Sequence, residues 1–400
     1  MSKSNETTPN VPTLRFAEYT DEWHKYALSD FVTRITRRNK NNESSLPLTI
    51  SAQYGLVDQI TFFNKTVASV DLSGYYLLYN GDFAYNKSYS NDYAWGAVKR
   101  LDKYEKGCLS SLYFVFRPTD KVDSDYLTHY FETNKWHKGI SDIAGEGARN
   151  HGLLNMAVDD YFATKHYLPS LSEQKKIACF LNLITKRIEI QNKIISKYET
   201  LIKGLSCDYF SKQPNHIAKL KDLIIKGKAG GTPSSTVAEY YNGDIPFLSI
   251  SDMTKQGKYV EFTEKHISEN GLANSSAWIV PSNSLILSMY ASVGLVCINK
   301  VPLATSQAMF SMMLKDCDML DYIYYYLKFF RETQIHRLLE TGTQSNINAD
   351  TVRDIEIPFY ANIFVFVKTL QAIEIRLNNE KDMLSRLMDL KTYLLSSLFI

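Results

Sequence analysis

The sequence is poor in features that mark a secreted, membrane-spanning or catalytic protein. Its five cysteines (Cys108, Cys179, Cys207, Cys297 and Cys317) are scattered and contain no Cys-x-x-Cys pair. That usage disfavours a disulfide framework or a zinc site and fits a reducing compartment. No apolar run approaches the ~20 residues of a membrane span. The opening MSKSNETTPN lacks the apolar core of a secretory signal, so a cytoplasmic location is expected. The eleven prolines include no Pro-Pro dipeptide, which removes the Asp/Asn-Pro-Pro-aromatic motif of amino-methyltransferases. Gly227-Lys228 and Gly257-Lys258 lack the earlier glycine and the hydroxyl residue of a nucleotide phosphate loop. Eight dispersed histidines show no metal-ligand spacing. Charge of one sign is also missing. A net charge of +2 permits nucleic-acid binding through a local basic face without arguing for it.

What is present is a repeat. Between Leu168 and Lys212, apolar residues recur at Ile177, Leu181, Ile184, Ile188, Ile195, Tyr198, Ile202, Leu205 and Tyr209, with Gln191 as the polar member. This alternation of four and three is the seam of a coiled coil. The same rhythm returns 189 residues later at Phe366, Leu370, Ile373, Leu377, Glu380, Leu384, Leu387, Lys391, Leu394 and Leu398, and Glu380 falls opposite Gln191. The chain is built twice, and each half ends in a helix made to pair. Gln191 and Glu380 either fix the register of that pair or mark exposed residues in imperfect heptads.

In order, residues 1–10 read as a polar tail. Residues 11–168 hold a basic loop (Arg34, Arg37, Arg38, Lys40) and strand-like runs LTISAQYGLV, TVASV, YYLLYNGDFAYN and LSSLYFVFRP. An amphipathic helix is expected over 123–138, followed by the glycine-rich GEGARNHGLLN. Ser170 and Glu173 carry a capping-box signature, so the first long helix is placed over 169–212. Residues 213–358 replay this plan, with IPFLSISDM, SLILSMYASVGLVCINK and SQAMFSMMLK as strands and MLDYIYYYLKFFRETQIHRLL as the helix. The second long helix occupies 359–400. The fold class expected is α/β (α+β) multidomain, with two globular domains joined by two long antiparallel coiled-coil helices and a pseudo-twofold internal repeat.

Two stretches carry a family resemblance. GGTPSSTVAEYYNGDIPFLSISDM, VPSNSLILSMYASVGLVCINKVPLATSQAMFSMM and TGTQSNINADTVRDIEIP resemble a target-recognition domain of type I restriction–modification specificity subunits. The first half carries a variant in ISAQYGLVDQITFFNKTVASVDLSGYYLLYNGDFAYNKS, GCLSSLYFVF, GEGARNHGLLN and LPSLSEQKKIACFL. The likeness covers essentially everything after residue 10, departing where YANIFVFVKTL opens the second long helix. It implies a non-catalytic subunit that reads a split double-stranded DNA sequence with a fixed gap. It also implies docking of two adenine-N6 methyltransferase subunits and recruitment of restriction/translocase subunits, which would carry AdoMet, ATP and Mg. The rival readings are a fused methyltransferase or nuclease, disfavoured by the missing motifs, and an assembly or decoy protein that joins methyltransferase subunits without reading DNA.

Phosphates take Arg, Lys and backbone N–H, and base edges take Arg, Asn, Gln and Ser. The DNA-binding candidates in the first half are therefore Arg37, Arg38, Lys40, Lys87, Tyr89, Arg149 and Asn150. His151, beside them, either joins that set or makes a local hydrogen bond. In the second half the candidates are Lys228, Thr232, Ser234, Ser251, Tyr290, Ser292, Gln344 and Asn346, with Asn346 also able to cap a turn. Gly230, Gly231 and Pro233 are assigned to shaping a turn. No catalytic or metal residue is assigned. Ile194, Leu201, Met383 and Leu390 lie off the seam, either facing the methyltransferase subunits or forming core.

Overall fold

The computed structural model describes residues 10–65, 68–90, 92–144, 152–337 and 346–400. The chain divides into two units, Met1–Asn192 with Asp382–Ile400, and Lys193–Lys381.

The first unit centres on a four-stranded antiparallel sheet with spatial order Val32–Arg34, Phe114–Pro118, Phe83–Asn86 and Ala97–Arg100. Alternate side chains leave a strand on opposite faces. Phe83 and Tyr85 therefore share one face, where Phe83 stacks on Phe116 at 5.5 Å and Tyr85 on Tyr161 at 4.7 Å. Leu48–Ser51 with Gly55–Asp58, a hairpin, and Tyr76–Tyr79 with Lys106–Leu109, a long-range antiparallel pair, form two small sheets. His24–Ala27 pairs with Lys165–Leu168, the strand that leads into the first long helix.

The second unit is laid out the same way. Its sheet runs Ile224–Ala229, Met309–Leu314, Leu285–Ser288 and Val296–Asn299, with Tyr259–Val260 added in parallel at the edge. His216–Lys219 pairs with Glu356–Phe359, the strand before the second long helix. Sequences that share little between the halves thus fold to one strand order. A second, three-stranded sheet, Lys265–Ile267, Ile245–Leu248 and Ala304–Thr305, has no three-stranded counterpart among the described residues of the first unit.

The long helices are Leu171–Phe210 and Ile363–Ser397. At ~1.5 Å per residue the first spans about 60 Å, and Gly204 does not interrupt it. None of the twenty seam positions is exposed. In the first unit Ile177 and Leu181 share a core with Leu394, Leu398 and Phe399. In the second, the ring of Tyr209 stacks on Phe366 at 3.9 Å. Within each unit the start of one helix therefore meets the end of the other, an antiparallel pairing.

Several local expectations change. Ser170 Oγ accepts from the Glu173 N–H at 3.4 Å, but the Glu173 carboxylate does not close a capping box. It is buried, accepts two 2.8 Å bonds from Arg15 and lies 3.4 Å from Trp23 Nε1, because a buried carboxylate needs cationic partners more than a helix needs its cap. Gln174 beside it accepts from the Asp123 N–H at 2.8 Å. These residues tie the start of the helix to the globular part. The helix over 123–138 breaks into Ser124–Tyr130 and His137–Ile143. IPFLSISDM is a strand, Ile245–Leu248, followed by a helix, Ile250–Gln256, which begins at a real capping box formed by Ser249 and Asp252. TVASV contributes no strand among the described residues. The cap near Asn346 is Asn348, whose side chain accepts from the Thr351 N–H at 2.8 Å.

Candidate nucleic-acid interface

The candidates concentrate on equivalent loops of the two units. The first is the chain leaving the first sheet strand, Val32–Arg34 or Ile224–Ala229. The second is the chain leaving the third, Phe83–Asn86 or Leu285–Ser288. The segment after each glycine-rich stretch joins the second loop.

In the first unit, Asp82 is fully buried and organises the basic loop. It accepts from Arg37 at 2.9 Å, Arg117 at 2.6 Å and the Tyr79 N–H at 2.8 Å, so its charge is matched by two guanidinium groups. Arg37 also donates to Leu77 O at 3.1 Å and lies 4.1 Å from the Tyr79 ring centroid. Arg38 donates to Gly74 O at 2.5 Å and covers the Tyr76 ring at 4.4 Å. Both arginines thus hold the loop on internal partners while staying partly exposed, and Lys40 at its tip is exposed.

Lys87 covers the Phe114 ring at 4.7 Å, and burial pushes its ammonium below the usual lysine range. Its carbonyl accepts from Leu154 N–H at 3.0 Å, and the Tyr89 N–H donates to Gly152 O at 3.1 Å. Lys87 and Tyr89 are therefore laced to the segment that directly follows Arg149, Asn150 and His151. Those three lie outside the described residues, as does Gln344.

In the second unit the hydrogen bonds draw three stretches together. Gly230 N–H donates to Met309 O at 3.2 Å and Gly231 N–H to Thr305 O at 2.9 Å. Met289 N–H donates to Ala308 O at 2.8 Å, and Ile347 N–H to Met289 O at 3.1 Å. Thr232, Tyr290, Ser292 and Asn346 are carried on these stretches. Thr232 donates to Gln307 Oε1 at 2.5 Å, and Ser234 pairs with Thr236 at 2.8 Å. Ser288 Oγ bonds the carbonyls of Tyr290 and Ala291, which leaves the Tyr290 ring exposed. Ser292 has φ +58°, an uncommon conformation for a residue other than glycine.

The two glycines are needed for closeness, not for a special φ. A Cβ on Gly230 would lie 1.9 Å from Thr305 O, and one on Gly231 would lie 2.3 Å from Ser276 Oγ. Pro233 accepts from Tyr241 Oη at 2.7 Å. Lys228 is exposed on its strand. Ser251 stands exposed on Ile250–Gln256, away from the three stretches just described in the order of the chain. Gln307 was not among the sequence candidates; its partner Thr232 and its place before Met309–Leu314 identify it only once strands are paired.

Along the helices Gln191 is buried and Glu380 half-buried. Leu201, Met383 and Leu390 are exposed, which removes the core alternative for them, while Ile194 is half-buried. Among the described residues no cluster of His, Cys, Asp or Glu could hold a metal ion, and no helix is long and apolar enough to cross a membrane.

Comparison with known proteins agrees with this geometry. Residues 214–361 match the family described as the type I restriction modification DNA specificity domain. The chain is 30% identical over 145 residues to the MjaIX specificity subunit of Methanocaldococcus jannaschii, covering 36% of this chain and 33% of that one. It is 33% identical over 160 residues to the HindI specificity subunit of Haemophilus influenzae, covering 38% and 34%. The matches thus span about a third of these curated relatives. In fold, the chain is similar to a type I restriction–modification S subunit from M. genitalium, with a TM-score of 0.57 and 15% identity over 98% of this chain and 99% of that one. It is equally similar, at TM-score 0.57 and 16% identity over 94% and 97%, to a chain from a study of complex assembly and conformational transition of the type I R-M system. The architecture is the α+β one, with two globular units and long helices, expected from the repeat.

Proposed function

We propose, from the premise that residues 214–361 are a type I restriction–modification DNA specificity domain, that the whole chain is the DNA-recognition subunit of such a system. The observation that carries this is the duplication. The first unit repeats the strand order of the second and offers the same loops, so it serves as a second reading domain on an unrelated sequence. Two reading domains on paired helices suit a bipartite site with a fixed gap. Base edges are read from loops while cations at the loop margins hold phosphates.

The chain is non-catalytic and works in the cytoplasm. Two methyltransferase subunits dock on the long helices, where Leu201, Met383 and Leu390 are exposed, and restriction/translocase subunits join that assembly. AdoMet, ATP and Mg belong to those partners. Gln191 and Glu380 fix the helix register, since a polar pair mid-seam costs stability and penalises slipped alternatives.

The test is duplex binding by the complex of this chain with its methyltransferase subunit. Affinity should fall steeply between low and physiological salt, and exchange of residues 214–361 should change one half of the preferred site only. A stable complex without DNA preference would instead establish the assembly or decoy role.

A further inference from the structure

Each unit fastens its sheet to a long helix through a polar cluster, and the two clusters match in their short-helix aspartate and long-helix amide. In the second unit the Lys258 side chain is only 10% exposed, and its ammonium lies 2.8 Å from Asp321 and 3.1 Å from Glu374. It also donates to Tyr325 Oη at 2.7 Å, and that hydroxyl donates to Glu374 at 2.5 Å. Asp321 accepts further from Gln371 at 2.7 Å and Tyr259 Oη at 3.1 Å. Lys258 and Tyr259 come from the sheet edge, Asp321 and Tyr325 from the helix Leu320–Thr333, and Gln371 and Glu374 from the long helix.

In the first unit Arg100, at the end of Ala97–Arg100, donates to Asp125 at 2.7 Å. Asn182 of the long helix donates to the other Asp125 oxygen at 2.9 Å, and its carbonyl lies 2.8 Å from His129 Nε2. Asp125 and Asp321 both sit in the first turn of their helices, and His129 and Tyr325 each follow four residues later. Asn182 and Gln371 are separated by the same 189 residues that relate the two seams. A first-turn aspartate therefore recurs unchanged, while the long-helix amide (Asn182, Gln371) and the sheet-edge cation (Arg100 on the fourth strand, Lys258 beside the added fifth) differ.

Apolar packing alone would let a sheet pivot on a helix at little cost. Directional bonds among three elements admit one geometry, and polar clusters of this kind do more for specificity of arrangement than for net stability. Gln371 is one methylene longer than Asn182, so the two bonds are made with amides of different reach.

We infer that these clusters set the angle at which each reading unit stands on its helix, and thereby fix the number of base pairs tolerated between the two half-sites. This rests on the reading as a DNA-specificity subunit. One extra base pair moves a half-site by about 3.4 Å and rotates it by about 35°, so a modest change of angle converts into a changed gap. The residues named are positioning residues and contact no DNA themselves.

The experiment uses the chain in complex with its methyltransferase subunit. The unmodified complex first supplies the methylated motif. A library then keeps both half-sites constant and varies the gap by one or two base pairs. Asp321→Asn, Gln371→Leu, Asp125→Asn and Asn182→Leu should each lower discrimination between the native gap and its neighbours by at least about tenfold, with half-site sequences unchanged. Tyr325→Phe removes one hydroxyl, spares the packing and should show a smaller loss in the same direction. Unchanged gap discrimination in variants that still methylate would overturn the inference while leaving the DNA-specificity reading intact. No split motif from the unmodified complex would overturn both.

Discussion

The two units share a strand order and a way of standing on a helix, yet they fill the same loops with opposite chemistry. After its first sheet strand the first unit places Arg37, Arg38 and Lys40, with the arginines bonded to Asp82, Leu77 and Gly74. The second places Gly230, Gly231 and Thr232, packed so tightly that a side chain has no room at the glycines. The first unit adds guanidinium bonds to the backbone bonds that hold its loop, and the second relies on close backbone approach at its glycines. The difference teaches that strand order and helix attachment recur in both units while the chemistry of their loops does not.

The largest expected break in this comparison comes from the shared part. Leu181 and Leu370 are fully buried at matching seam positions. Leu181→Ala and Leu370→Ala should each cost about 2–5 kcal/mol, and hydrogen exchange should show each loss concentrated in the unit that holds the residue. Comparable loss of protection in both units from either change would contradict two separable cores.

A titration separates the units further. His166 is buried in the first unit between Tyr130 Oη at 2.7 Å and Thr164 Oγ1 at 2.8 Å, and burial lowers its pKa to about 4. The imidazole is neutral when folded and takes a proton on unfolding below the ordinary histidine value of 6.5. The unfolded state therefore binds the extra proton, and stability falls as pH drops from 6.5 to about 4, by up to about 3 kcal/mol. Urea midpoints across that window should drop for the first unit and lose part of this slope in His166→Asn. A slope unchanged by the substitution would assign it to other groups.

Gly230→Ala should displace the loop that carries Thr232 and weaken DNA binding in the second half-site by about tenfold or more, while the first half-site keeps its sequence preference. Half-site binding assays on the complex would check this. The smallest effect is expected at the exposed cations. Lys40→Ala and Lys228→Ala should weaken binding uniformly across sequences and reduce the salt slope by about one phosphate contact each.

The helices and the repeat are legible in the sequence because a seam writes itself every three or four residues. All the positions from Ile177 to Tyr209 and from Phe366 to Leu398 that the rhythm selects avoid full exposure. The strand order is not legible, since pairing Val32–Arg34 with Phe114–Pro118 joins residues more than eighty positions apart and leaves no local trace. Glu173 shows how a local rule fails. Its spacing from Ser170 fits a cap, but the burial of its carboxylate brings Arg15 to it from a distant part of the chain. Among the candidate residues, composition marks the loops. It does not mark the internal partners of Arg37 and Arg38, because Asp82, Leu77 and Gly74 reach them only through folding.

The most direct test of the central claim is a map of N6-methyladenine in DNA from a host otherwise lacking adenine methylation, expressing this chain with its methyltransferase subunit. The account predicts one split motif, two short defined parts around a fixed gap, of which only one part changes when residues 214–361 are exchanged. A continuous motif, or no methylation from a stable complex, would contradict it.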